Sequence, residues 1–412
     1  MRAASRHPGR ILAIAATLLV AAIIPAGANQ VPAPDPRQGD GGVSAFYTWA
    51  GEIPAAPGQM LRTEPLDPAF GLAMAGQQFR ILYSSTDGID AKTPVVVSGA
   101  YFAPKGTPPE GGWPLVAWAH GTTGVADVCA PSWTPRTPRD AEYLNAWLAQ
   151  GYAIVATDYQ GLGTPGPHPY LAVRPAAFSV LDSIRAVLKA FPEVANRVVV
   201  IGQSQGGGAA FATAGIAPSY APDIDIRGSV ATGVPFLGPA MLHPRPTPPD
   251  VADPTVTYSL YLGIMIQQYD PSIADDQLVT ARALPLLQKA RTLCVGPLFY
   301  AVGRAGLNRG NALTPAFPKA LAAVLPELEF PTVKLTQPLF VGTGTQDHDV
   351  SPAGQLALVR NACAQGSTVE AHLYTGLDHG QTMNASQKDS LPFVRKLLAG
   401  QPIQSICEPA AQ

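Results

Sequence analysis
The chain has 412 residues, 47% of them hydrophobic and 14% charged, with 43 prolines, 40 glycines and a formal charge of −2. That length allows one large α/β domain plus an insertion around a sizeable core. The composition speaks against a disordered chain, and no basic run supports nucleic-acid binding.

Arg2, Arg6 and Arg10, an apolar run over 11–24 and the small residues Ala26-Gly27-Ala28 form a targeting pattern. The run, about fourteen residues, is short of the roughly twenty needed to span a bilayer, so residues 1–28 are expected to be a signal peptide cleaved near Ala28. The mature chain would then carry a formal charge of −5, have no transmembrane segment and work outside the cell, in the periplasm or at the cell surface. In that oxidising setting Cys129, Cys294, Cys363 and Cys407 are expected in disulfides, with three pairings open; their spacing is not that of a metal site.

Residues 29–42, polar and rich in Pro, Gly and Asp, read as a flexible leader, and 43–75 as an N-terminal arm on the core. Residues 79–84 alternate and 93–102 are rich in β-branched residues, which predicts an antiparallel pair at a sheet edge. Residues 113–119 (WPLVAWA) read as a strand buried on both faces, leading into His120-Gly121-Thr122-Thr123-Gly124. A helix over 140–150, a strand over 152–157, a helix over 175–191 and a strand over 226–232 follow. Residues 235–331 break this rhythm with clustered prolines and amphipathic stretches, and are expected to form a cap. Within them 258–266 (YSLYLGIMI) suits either the cap core or the wall of an acyl pocket. Strands at 338–344 and 369–374, with helices at 351–363 and 386–398, complete the pattern. The expected division is a signal peptide (1–28), a leader (29–42), a core in two parts (43–234 and 332–412) and a cap (235–331).

Chemistry concentrates at 198–210, VVVIGQSQGGGAA. A β-branched run, Gly202-Gln203-Ser204-Gln205-Gly206 and a small-residue helix start make the strand–turn–helix context of a G-x-S-x-G nucleophile elbow. Ser204 is therefore the expected nucleophile. The N–H of Gln205 and that of Thr122, or alternatively Gly121, are the expected oxyanion donors. Asp347, just past the strand at 338–344, is preferred over Asp349 as the triad acid. Asp158 precedes the serine, whereas triads on such an elbow run Ser, acid, His, so it is read as holding its turn. His379, on the loop after the last strand, is the expected base, because an imidazole can take the serine proton and return it near neutral pH. His120, His348 and His372 are read as structural, and Asp378 as too close in sequence to serve its neighbour's ring.

With these motifs the chain resembles the secretory lipases, the yeast lipase A type and its bacterial relatives within the α/β-hydrolases, over roughly 46–407. The marks are Asp127-Val128-Cys129-Ala130-Pro131-Ser132, Ser204-Gln205-Gly206-Gly207, Cys363-Ala364-Gln365-Gly366, Tyr374 before His379, and Ile406-Cys407. The resemblance implies a mostly parallel central sheet with helices on both faces and an inserted, mainly helical cap. It further implies the triad Ser204–Asp347–His379, disulfides Cys129–Cys294 and Cys363–Cys407, and hydrolysis of lipid or other carboxylic esters, with a lipid–water interface as a possible partner. No metal or organic cofactor is needed for this chemistry. Acyl transfer or peptide hydrolysis on the same fold, and a catalytically silent binding protein, are the competing expectations.

Overall fold
The computed structural model describes residues 1, 34–239, 248 and 251–411. The targeting segment expected over 1–28 lies, Met1 aside, outside the described residues. No helix among the described residues is long and apolar enough to cross a membrane.

Nine strands form one sheet: β1 (Met60–Pro65), β2 (Ala75–Thr86), β3 (Pro94–Pro104), β4 (Trp113–Ala119), β5 (Ala153–Thr157), β6 (Val194–Gln203), β7 (Ile226–Thr232), β8 (Leu339–Gly344) and β9 (Val369–Tyr374). Their spatial order is β1-β2-β3-β5-β4-β6-β7-β8-β9. The first three are antiparallel to their neighbours, β3 is antiparallel to β5, and β5 through β9 run parallel. The β2–β3 pair expected near the edge is present, but β1 lies outside it. The sequence MLRTEP hides β1 because the charged Arg62 and Glu64 share the less exposed face of the strand, while Thr63 and Pro65 are exposed.

Helices α1 (Pro138–Ala149), α2 (Val173–Ala190) and α3 (Gln205–Tyr220) connect the first half of the sheet. Strand β6 shows why the sheet is covered on both sides. Val198 and Val200 pack with Val180 and Ile184 of α2. Val199 and Ile201 face Tyr143, Trp147 and Phe393 on the opposite side. Successive side chains of a strand alternate faces, so a run of four apolar residues seals both layers.

Between β7 and β8 lie α4 (Val256–Tyr269), α5 (Asp275–Leu278), α6 (Leu284–Ala290), α7 (Val295–Arg304), α8 (Arg309–Ala312) and α9 (Phe317–Leu328). Their apolar faces bury against one another, with Leu260, Ile264, Leu287, Leu298 and Leu325 in a common cluster. The stretch 258–266 lies in α4, and much of it belongs to this core. The chain closes with α10 (Pro352–Ala364), α11 (His379–Ala385) and α12 (Gln387–Leu398).

Two disulfides tie these parts together. Cys129–Cys294 joins the segment after β4 to the start of α7, and Cys363–Cys407 joins the end of α10 to the C-terminal segment. The described part of the segment expected as a flexible leader makes specific contacts instead. Asp40 accepts from the N–H of Gly166, and Asp127 Oδ2 accepts from the N–H of Gly41 at 2.8 Å. Short polar residues that look like loop composition in the sequence are here hydrogen-bonding partners of the core.

Candidate active site
Because β4 and β6 to β9 are parallel, their carboxyl ends open on one rim of the sheet, where ligand loops gather. Ser204 sits at that rim between β6 and α3 with φ +59° and ψ −123°. A side chain at positive φ costs about 1–3 kcal/mol and persists only where its surroundings hold it. Here Ser204 N–H donates to Thr232 O at 2.9 Å, and Ser204 O accepts from Gly208 N at 3.1 Å. The turn is packed so closely that a Cβ on Gly206 would stand 1.9 Å from Ala119 O. That contact explains the glycine.

Asp347 and His379 meet although 32 residues separate them: Nδ1 of the ring lies 2.7 Å from Asp347 Oδ2, and both residues are buried. The carboxylate is held on both oxygens. Oδ1 accepts from the N–H of Asp349 at 3.0 Å and of Val350 at 2.8 Å, and Oδ2 also accepts from Gln355 Nε2 at 2.9 Å. Asp349 is engaged elsewhere, accepting from Tyr258 Oη of α4 at 2.8 Å. His379 is the first residue of α11 and not a loop residue, with Asp378 as the N-cap accepting from Gln381 N–H at 2.8 Å. Its Nε2 is buried with no hydrogen-bond partner among the described residues. Ser204 is brought to the same rim, but no hydrogen bond joins it to His379 among the described residues; such a contact often closes only with substrate in place.

The loop after β4 comes beside the serine, since a Cβ on Gly121 would lie 3.5 Å from Ser204 Cβ. Among the described residues no acceptor takes the N–H of Thr122 or of Gln205. Thr122 Oγ1 is paired with Tyr170 Oη at 2.7 Å. His120 is turned away from proton transfer: Nδ1 is 2.7 Å from Gly121 O and Nε2 3.1 Å from Asp158 O, and burial holds its pKa below the usual imidazole value. Asp158, its carboxyl pushed up by burial, accepts from Ser98 Oγ at 2.7 Å, from the N–H of Ser132 at 2.9 Å and from Ser132 Oγ. It therefore pins three segments together by side chains as well as backbone.

Asp347, Asp349 and His379 bring one ligand atom each within 4.8 Å of one another. Hydrogen bonding already accounts for this cluster, since both oxygens of Asp347 and Oδ1 of Asp349 are occupied. An apolar pocket lined by Leu171, Ala176, Gly208, Leu237 and Phe330 adjoins Gln205. Gln355 was not singled out in the sequence, where only a polar residue on the buried face of α10 could have pointed to it.

Sheet order, strand direction and the elbow turn define the α/β-hydrolase fold. Residues 128–237 match the family model described as secretory lipase. Lipase 7 of Candida albicans is 31% identical over 112 residues, covering 24% of this chain and 25% of that protein. A protein of Mycobacterium tuberculosis named "Probable inactive lipase" is 28% identical over 203 residues, covering 45% of this chain and 43% of its own. These alignments span between a quarter and less than half of the curated relatives. The structure of Candida antarctica lipase A in its closed state superimposes with a TM-score of 0.73 at 20% identity, covering 90% of this chain and 89% of that one. The resemblance to secretory lipases read from the motifs over 46–407 is matched by the family model over 128–237 and, as a fold, by lipase A.

Proposed function
We propose that this chain is an exported serine hydrolase that cleaves carboxylic esters of lipid type through an acyl-enzyme. The observation that carries the reading is the buried 2.7 Å contact of His379 Nδ1 with Asp347 Oδ2, which leaves Nε2 unpartnered on the rim that holds Ser204. In this reading Ser204 Oγ attacks the ester carbonyl while His379 Nε2 takes its proton. Asp347 holds the ring in the Nδ1–H tautomer and stabilises the imidazolium. The N–H groups of Gln205 and Thr122 receive the oxyanion, each lowering the barrier by about 3 kcal/mol. His379 then protonates the leaving alcohol, and water repeats the sequence on the acyl-enzyme. The apolar residues beside Gln205 are the proposed lining for the acyl chain.

A silent hydrolase fold is the second reading, favoured by the relative named as inactive and by the open Ser204–His379 contact. One experiment separates the two. The wild-type chain should hydrolyse p-nitrophenyl esters and accept a fluorophosphonate at Ser204, and Ser204→Ala should lose both while keeping its circular dichroism. A folded wild-type chain that neither turns over esters nor takes the label has no such chemistry.

A further inference from the structure
The loop between β5 and α2 carries two non-glycine residues at positive φ, Tyr159 (+71°) and Leu171 (+62°). Such strain is retained where surrounding contacts fix the backbone. Between them His168, 3% exposed, makes two ring contacts: Nδ1 lies 2.8 Å from Gln160 O and Nε2 3.1 Å from Gln205 Nε2. A carbonyl oxygen can only accept, so Nδ1 carries the proton. Nε2 of the neutral ring then offers a lone pair, and Gln205 must turn its NH2 toward it. The other end of that amide, Gln205 Oε1, is buried without a partner among the described residues. An unpaired buried acceptor costs about 1–3 kcal/mol. The fold accepts this cost to keep the side chain of Gln205 on His168.

We propose that His168 is a positioning residue for the oxyanion donor on the residue after the nucleophile. This rests on the serine-hydrolase reading. Gln205 is the first residue of α3, and its N–H is one of the free groups at a helix start. The strained Ser204–Gln205 peptide would relax by rotating, which would swing that N–H away from a developing oxyanion. Anchoring the Gln205 side chain to His168 opposes the rotation. Cap helix α4 reaches the same residue, since Gln268 Nε2 donates to His168 O at 3.1 Å.

Two variants divide the ring into its two contacts. His168→Asn keeps a donor where Nδ1 was and loses the acceptor for Gln205; His168→Gln keeps that acceptor. With p-nitrophenyl butyrate, His168→Asn should lower kcat about 10- to 100-fold, the scale of a mispositioned reacting group, with KM within about twofold. His168→Gln should stay within about threefold of wild type. Unchanged kcat in His168→Asn, or equal losses in both variants, overturns the proposal. Imidazole 15N spectra of the wild-type chain give a readout independent of turnover. Nδ1 protonated and Nε2 bare supports the link to Gln205, and the opposite tautomer removes it. An inactive wild-type chain with the expected tautomer would count against ester hydrolysis and not against that link.

Discussion
Gln355 Nε2 donates at 2.9 Å to Asp347 Oδ2, the same oxygen that lies 2.7 Å from Nδ1 of His379. The amide also donates to Val350 O at 2.9 Å, so it fixes the carboxylate and its loop together. Gln355→Leu removes both bonds at nearly constant volume. The expected result is a kcat lower by about tenfold with little change in KM, as for loss of an interaction that serves the transition state. Steady-state kinetics on p-nitrophenyl butyrate, with a melting curve as a check on folding, measures it.

Gly208 of α3 faces the apolar pocket. A Cβ there would lie 3.4 Å from Pro235 Cγ and 4.0 Å from Phe330 Cζ, which is ordinary contact. Gly208→Ala should therefore fold and narrow the pocket by one methyl group. The ratio of kcat/KM for p-nitrophenyl octanoate over acetate should fall about tenfold or more, because a lost methylene site is worth about 1–3 kcal/mol. An unchanged ratio would place the acyl chain elsewhere.

The disulfides should separate stability from activity. Cys129–Cys294 closes 165 residues and Cys363–Cys407 closes 44. Chain entropy puts their loss at up to about 5 and about 4 kcal/mol, and measured values are usually about 2–4 kcal/mol. Double serine variants of either pair should unfold at lower urea. Only loss of Cys129–Cys294 should also depress kcat, since the adjoining Val295 N–H donates to Thr123 O at 2.7 Å beside the proposed oxyanion loop. The C-terminal pair lies away from the rim, where Ile406 bonds to Val369 and Ala371 of β9.

Stability should depend on pH through buried groups of opposite sign. Burial pushes His168 down from 6.5 to about 4, with His120 shifted the same way. The unfolded chain then binds more protons between those values, so stability is lost as pH falls from about 6.5 to about 4, by about 3 kcal/mol for His168. Burial raises Asp127 from 3.8 to about 7, with Asp40 nearby adding to the shift. Here the native chain binds more protons, so stability falls as pH rises through that window. Urea titrations at pH 4.5 and 8 should show His168→Gln flattening the acid limb and Asp127→Asn stabilising the protein at pH 8.

Much of the architecture was legible because the relevant signals are local. β7 and β9 begin and end at the expected residues, since an apolar run bounded by turn residues is its own marker. The elbow was legible because a nucleophile on a sharp turn requires small neighbours whatever surrounds it. The edge strand β1 was not, because its partner supplies the reason for its conformation. His379 at a helix start was likewise hidden, since the cap that begins α11 depends on the Asp378 and Gln381 side chains being turned inward to each other's backbone.

The sequence by itself determined the strand–helix alternation, the elbow at Ser204 and the short set of residues able to act as acid and base, because each follows from composition and spacing along a few residues. Only the tertiary structure decided that Asp347 rather than Asp349 meets His379, that Tyr258 occupies Asp349, and that His168 holds Gln205. Those pairings join residues 32, 91 and 37 positions apart. Contacts at such separations are set by how strands stack and loops close over them, and no local pattern in the chain encodes that geometry.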